Sequence, residues 1–348
     1  MLHVSNLQKI IGTLGSHCSL QVLKGAKDEG FETLLITEKK RYHVYNRFGF
    51  IDHVILVDKF REILKPDIQQ RLNELDCILI PHGTLISSLS SEEIESINVP
   101  FFGNKFILRW EADRNLKQKL MLKSKLQIPR TIKSKREIND LCIVKLHGAA
   151  GGKGYFLTSD QKGFDDGYNK LLNDKIVTST KELYIQEFVR GVPVYLHFFY
   201  SPISGDIELM GVDRRYESDI DGISRIPSKH QLNVPIEPTY NVVGNIPLVL
   251  RESLLEGVYE MGENFVKACE RLVPPGIPGP FCLEGVYTKD AKFITFEFSA
   301  RIVAGTNLYV SGSQYSDFLF RNGMSMGRRI ALEIKNALKK RKLDAVVT

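Results

Sequence analysis

Two apolar, strand-length runs, Phe281-Cys282-Leu283-Glu284-Gly285-Val286 and Thr295-Phe296-Glu297-Phe298-Ser299-Ala300-Arg301, flank the polar turn Thr288-Lys289-Asp290-Ala291-Lys292. Side chains of a strand alternate faces with a period of two, and a short polar loop lets neighbouring runs pair, so the pattern predicts an antiparallel hairpin. Each run carries one glutamate, Glu284 and Glu297, and the hairpin could aim both carboxylates at one point. Paired carboxylates beside Arg301 suit magnesium on nucleotide phosphates, because Mg²⁺ takes hard oxygen ligands and usually keeps only one or two protein carboxylates. The alternative is a solvated hairpin whose two glutamates face water.

A chain of 348 residues has room for two or three domains, and 43% hydrophobic with 25% charged residues fits globular units with a sizeable core. Disordered and fibrous classes are excluded. The net charge of +6 is mild, and its densest run is Lys339-Lys340-Arg341-Lys342. Such an excess suits small anionic substrates, with nucleic acid the weaker alternative. Cys18, Cys77, Cys142, Cys269 and Cys282 are scattered and form no Cys-x-x-Cys pair, which favours reduced thiols over disulfides or zinc. The N-terminus lacks the order of a signal peptide and no apolar run approaches membrane-spanning length, so the expectation is a cytoplasmic protein without a membrane partner.

The first hundred residues alternate short apolar runs (Lys9 to Thr13, Thr33 to Thr37, His53 to Val57, Asp76 to Ile80) with helical stretches (Ser19 to Asp28, Asp67 to Leu75, Ser91 to Ile97). That alternation predicts an open, mostly parallel α/β sheet with helices on both faces. Ligands of such sheets lie at the carboxyl ends of strands, where Gly12-Thr13-Leu14-Gly15-Ser16-His17 and Pro81-His82-Gly83-Thr84 fall. From about Asn104 the texture changes to a charged helix, Trp110 to Leu122, then to paired strands punctuated by glycine and proline, and finally to a basic helix from Ser325 to Leu343. The second part reads as α+β.

Ile143-Val144-Lys145 leads as a strand into His147-Gly148-Ala149-Ala150-Gly151-Gly152-Lys153-Gly154, where glycines free the backbone to approach an anion. The Gly-Lys-Ser/Thr ending of a P-loop is absent, so the reading is a flap over phosphates with Lys145 and Lys153 as cations, against a purely structural glycine turn. Tyr184-Ile185-Gln186-Glu187-Phe188-Val189 is a strand running into a glycine turn, suited to reading an adenine edge, or merely a half-buried strand. Gly211 to Gly222 packs opposite charges densely, Arg214, Arg215, Glu217, Asp219 and Asp221 among them, so these side chains either face a ligand or pair with one another. Asn245 and Asn307 lie in tight polar turns that turn chemistry alone can explain.

In this order, strand Lys145, glycine flap, Glu187-Phe188-Val189, Glu284 and Glu297-Phe298-Ser299-Ala300-Arg301 resemble the ATP-grasp superfamily. Gly15-Ser16-His17, Ile80-Pro81-His82-Gly83, Phe102-Gly103-Asn104, Leu108-Arg109-Trp110-Glu111, Arg214-Arg215-Tyr216-Glu217-Ser218, Gly244-Asn245-Ile246-Pro247, Arg251-Glu252-Ser253-Leu254-Leu255 and Met324-Ser325-Met326-Gly327-Arg328-Arg329 resemble one family within it. These are the archaeal ligases that formylate aminoimidazole carboxamide ribotide (AICAR) with free formate and ATP.

The resemblance, running from near Gly12 to near Lys335, implies a Rossmann-like pre-ATP-grasp domain over residues 1–103 and an ATP-grasp catalytic domain over 104–348, with the small ATP-binding subdomain in 104–180. It implies a ligase of purine biosynthesis: ATP phosphorylates formate to formyl phosphate, the 5-amino group of AICAR attacks it, and formylated AICAR (FAICAR), ADP and phosphate leave. Carried onto matching positions, it puts Glu284 and Glu297 on Mg²⁺ or Mn²⁺, and Lys145, Gly151, Gly152, Lys153, Glu187, Val189 and Glu217 on ATP. His17, Thr84 and Asn245 fall on AICAR, while Arg301 and Lys153 stabilise developing charge. A closed homo-oligomer, trimer or hexamer, is also implied. Two departures stand out: Ser299 replaces the Asn of the usual Glu-x-Asn, and Thr84 replaces a Ser. A paralogous ligase acting on another carboxylate and amine, or a non-catalytic nucleotide sensor, are the alternatives.

Overall fold

Parallel strands buried on both faces begin the chain, as the alternating texture of the first hundred residues predicts. In the computed structural model, which describes residues 9–146, 155–231 and 241–348, β1 (Ile10–Leu14), β2 (Glu32–Glu38), β3 (His53–Val57) and β4 (Cys77–Leu79) form an all-parallel sheet in the order β3-β2-β1-β4. Every residue of β1 is buried, the mark of a parallel strand covered on both sides. One face carries the helix Ser19–Asp28, and the C-terminal helix Met326–Lys339 packs against that helix through Val22, Ala26, Ile330 and Ile334. The other face receives Leu72 and Leu85 from the helices Pro66–Glu74 and Gly83–Ser88.

A second, antiparallel sheet has the order β5-β8-β6-β7, with β5 (Thr131–Ile132), β6 (Cys142–Leu146), β7 (Phe156–Thr158) and β8 (Leu183–Glu187). The helix Gln161–Asn173 covers it with Phe164 and Leu171.

The third sheet decides where chemistry can occur. Its strands β9 (Val192–Tyr200), β10 (Ile207–Glu217), β11 (Val242–Pro247), β12 (Gly279–Tyr287) and β13 (Phe293–Ser299) run antiparallel in the order β11-β10-β9-β12-β13. The hairpin expected around Glu284 and Glu297 is β12 and β13. Alternation along the strands sends Leu196, Phe198, Val212, Phe281, Leu283 and Phe298 to one face, where they bury against Val258 and Phe265 of the helix Leu255–Leu272. Phe281 stacks on Phe198 with centroids 5.0 Å apart and on Phe265 at 5.4 Å. The same alternation and register send Tyr195, His197, Asp213, Arg215, Glu284 and Glu297 to the opposite face.

Two expected helices differ in detail. The charged run read as one helix from Trp110 to Leu122 is two, Ile107–Ala112 and Arg114–Lys123. Asp113 breaks it: its backbone is extended and its carboxylate accepts the Leu116 N–H at 2.8 Å, an N-cap that starts a new helix. The basic helix begins where Ser325 caps it and ends at Lys339. No helix among the described residues is long and apolar enough to cross a membrane.

Candidate active site

The register of the β12–β13 hairpin sets Glu284 directly opposite Glu297. Directly opposed residues of an antiparallel pair share a face, so both carboxylates leave the sheet side by side. Each meets a cation. Arg215 of β10 donates to Glu284 Oε2 at 2.7 Å, and Lys117 of the helix Arg114–Lys123 pairs with Glu297. Ser299 Oγ, at the position where the superfamily places Asn, donates to Glu284 Oε1 at 2.9 Å and so orients that carboxylate. Burial pushes the Glu297 pKa up, but Lys117, Arg215 and Lys145 outweigh it and hold the carboxyl below its ordinary range. A carboxylate held ionised in this way is a hard anionic ligand at neutral pH.

Lys145 sits on β6 with its Nζ 3.4 Å from Gln186 Oε1. Burial, with Arg114 and Lys117 beside it, lowers its pKa to about 8, against the opposing pull of Glu297. Arg114 lies over the Tyr184 ring at 5.3 Å. Glu297 is therefore the anion facing a cationic cluster of Lys117, Lys145 and Arg114, contributed by a helix and by the small sheet. Such a cluster is a ready site for a polyphosphate.

On the other side of Glu284, Arg301 reaches Glu111 Oε1 at 2.9 Å, while the Ala300 N–H donates to Glu111 Oε2 at 2.7 Å. Arg301 Nε is buried without a hydrogen-bond partner among the described residues. His17 follows Ser16 at the carboxyl end of β1, and both have positive φ, 125° for Ser16 and 46° for His17. Strained non-glycine backbone at a strand end is a feature of ligand-binding turns. Burial lowers the His17 pKa, and Arg301 and Arg215 lower it further, so both guanidinium groups lie within electrostatic reach of the ring. Gly83 makes room for the His17 ring, since a Cβ there would lie 2.4 Å from it.

The loop Pro81-His82-Gly83-Thr84 thus meets the His17 loop, as the strand-end rule predicts, with the two histidine rings 5.9 Å apart. His82 itself is structural: Nε2 donates to the Leu14 carbonyl at 2.7 Å and Nδ1 accepts from the Thr84 N–H at 3.2 Å. Burial brings its pKa down to about 3, and Thr84 lies buried beside it.

Asn245 is the β11 partner of Arg215. Glu217, at the end of β10, feels Arg215 while burial raises its pKa, and its N–H donates to Asp221 Oδ2 at 2.5 Å. His17, Arg301, Glu284, Arg215, Asn245, Glu297 and Lys145 therefore form one connected cluster. Glu187 lies off it at the end of β8, where its carboxylate accepts the Arg130 N–H at 2.9 Å, and Val189 follows half-buried beyond the strand. Gly151, Gly152 and Lys153 lie outside the described residues. Reading the residues alone missed Lys117 and Glu111: a lysine in a charged helix carries no mark of a partner 180 residues away.

A model described as a protein of unknown function (DUF1246) matches residues 11–132, and one described as a domain of unknown function (DUF1297) matches residues 163–348. A 5-formaminoimidazole-4-carboxamide-1-(beta)-D-ribofuranosyl 5'-monophosphate synthetase of Cenarchaeum symbiosum is 56% identical over 98% of this chain and 100% of its own. The chain belongs to this synthetase family. Within the same fold, the crystal structure of an IMP biosynthesis protein, PurP, from Thermococcus kodakaraensis covers 97% of this chain and 100% of that one at 31% identity, with a TM-score of 0.78. A biotin carboxylase from Campylobacter jejuni in complex with β,γ-ATP covers 94% of this chain and 71% of its own at a TM-score of 0.67. At 13% identity that likeness concerns the fold alone, the ATP-grasp fold that the order of motifs predicts.

Proposed function

We propose that this synthetase family member joins formate to the 5-amino group of AICAR at the expense of ATP, giving FAICAR, ADP and phosphate. The observation that carries the reading is the opposed pair Glu284 and Glu297, set between a cationic cluster on one side and His17, Arg301 and Asn245 on the other. A formate oxygen attacks the γ-phosphorus and the bond to the ADP oxygen breaks. The AICAR amine then attacks the formyl carbon, the carbon–oxygen bond breaks, and phosphate leaves with that oxygen while the amine gives up a proton.

The residues fit a divalent cation. The carboxyl groups of Glu284 and Glu297 emerge side by side, and no group of three or more His, Cys, Asp or Glu fit to hold a metal is present among the described residues. A cation held by Glu284 and Glu297 would therefore complete its shell with phosphate oxygens and water, as Mg²⁺ prefers, with Mn²⁺ a substitute. It would supply neutralisation of the transferring phosphoryl group. Lys145 and Lys117 meet the remaining phosphate charge, Lys153 adds to them, and Gly151 and Gly152 bring backbone N–H groups. The end of β8, with Glu187 and Val189, and Glu217 bind the nucleoside. Arg301, whose Nε has no hydrogen-bond partner among the described residues, stabilises charge developing on the transferred group. His17, Thr84 and Asn245 hold the ribotide. An apolar edge on β11, with Val243 62% exposed, and Phe318, 82% exposed, suit burial in a homo-oligomer.

Phosphate release measured with each substrate omitted in turn tests the reaction. Release is expected to require ATP, formate and AICAR together. Release at full rate without formate would refute it.

A further inference from the structure

Asn245 does not stand alone on β11. Its Nδ2 donates to Asp213 Oδ2 at 2.7 Å, and Asp213 Oδ1 accepts from His197 Nε2 at 2.5 Å. Asp213 and His197 are each 1% exposed, and the ligase reaction described above uses neither. The remaining ring nitrogen, His197 Nδ1, is buried without a partner among the described residues. Burying a carboxylate and an incompletely satisfied imidazole is costly, and apolar side chains of the same volume would fill the space at least as well. Packing does not account for the pair.

The hydrogen bonds fix what the pair does to Asn245. The Asn245 amide nitrogen is the atom turned toward the Asp213 carboxyl oxygen, so its carbonyl oxygen points the other way. Gly305 seats the arrangement: a Cβ there would fall 2.3 Å from Asp213 Oδ1 and 2.9 Å from His197 Nε2. Two residues further on, Asn307 Nδ2 donates to the His17 carbonyl at 3.0 Å. The short segment Ala304–Tyr309 thus abuts Asp213 and holds the His17 backbone as well.

We infer that Asp213, backed by His197, is a positioning residue that locks the Asn245 carboxamide so that its oxygen meets the substrate, selecting a ligand that offers a hydrogen-bond donor, an amino, amide or hydroxyl group, at that point. The inference rests on the assignment of Asn245 to the ribotide. A freely rotating carboxamide could present either end; the locked one accepts only. A site built to receive a donor leaves its acceptor unpaired when an analogue lacks that donor, which is how such a contact discriminates.

Calorimetric titration of the full chain with AICAR and separately with ATP tests both statements. Asn245→Ala is expected to weaken AICAR at least about tenfold, the worth of a lost hydrogen bond, and to leave ATP unchanged. Wild-type AICAR affinity in that variant overturns the ribotide assignment itself. Asp213→Ala is expected to weaken AICAR about tenfold with ATP unchanged and to raise the KM for AICAR more than it lowers kcat. Asp213→Asn, which keeps an acceptor oxygen for Asn245, is expected to recover to within about threefold of wild type. Wild-type AICAR affinity in Asp213→Ala, alongside a weakened Asn245→Ala, overturns the positioning role and leaves the assignment standing. Equal losses of AICAR and ATP affinity also overturn it. If Asp213→Ala does not fold, Asn245→Asp decides: it keeps an oxygen for the ligand but replaces the N–H that Asp213 receives, so AICAR affinity falls, whereas retained affinity overturns the proposal.

Discussion

Replacing Glu297 by glutamine changes one oxygen for a nitrogen and removes one charge. The perturbation is clean because Lys117, Arg215 and Lys145 hold the Glu297 carboxyl ionised against the effect of burial, so the variant lacks a charge that the wild type carries at neutral pH. Two consequences separate. The cation loses one of its two protein carboxylates and the transferred phosphoryl group loses its placement, which costs about 10² to 10³ in kcat, or roughly 3 to 4 kcal/mol of barrier. The cationic cluster of Lys117, Lys145 and Arg114 loses a carboxylate that faces it, so metal-free ATP binds no more weakly than before. The assay is ADP formation at saturating ATP, formate and AICAR over a range of Mg²⁺ concentrations, with calorimetric binding of ATP in chelator. Turnover within about threefold of wild type would remove Glu297 from the metal. Parallel collapse of metal-free ATP binding would make it a structural residue.

Lys145 gives a pH signature. Its pKa of about 8 leaves it charged below that pH and neutral above it, so the KM for ATP is expected to rise by up to about tenfold per pH unit above roughly 8.5. Lys145→Arg, which stays charged, is expected to flatten the profile; an unchanged profile would refute the contact. His82 gives a stability signature. Its folded pKa of about 3 lies below the unfolded value of 6.5, so the unfolded chain binds the extra proton between them. The stability is thus complete above about pH 6.5 and is lost as pH falls toward 3, at up to about 1.4 kcal/mol per unit from this group. Urea titrations at several pH values, compared with His82→Gln, check it. Phe281→Ala, which empties a site 1% exposed between Phe198 and Phe265, is expected to cost about 3 to 5 kcal/mol, read as a lower urea midpoint at unchanged slope.

Elements whose signal is local were legible in the chain. The alternation from Lys9 to Ile80 marks β1 to β4, and the polar turn at Lys289 marks the β12–β13 hairpin and hence the pairing of its glutamates. The break at Asp113 escaped notice because a capping aspartate inside a charged run looks like any other charge. Pairings across the chain were invisible for a different reason. Lys117 reaches Glu297 and Glu111 reaches Arg301 only after the helices Ile107–Ala112 and Arg114–Lys123 dock on the third sheet, and no local period encodes that docking. Arg215 stood in a stretch whose charges were expected either to pair with one another or to face a ligand. Arg214 does pair within the stretch, with Asp221, while Arg215 reaches across β9 to Glu284. His82, read as part of a ligand loop, is held by the Leu14 carbonyl and the Thr84 N–H, a role that only the folded backbone reveals.

The fate of a formate oxygen tests the central chemistry most directly. With formate carrying ¹⁸O at both oxygens, ATP and AICAR, formate attacks the γ-phosphorus through its own oxygen, and cleavage of the formyl carbon–oxygen bond leaves that oxygen on phosphate. Mass analysis of the inorganic phosphate is expected to show one ¹⁸O for each FAICAR formed. Phosphate that carries no label while FAICAR accumulates would contradict the account.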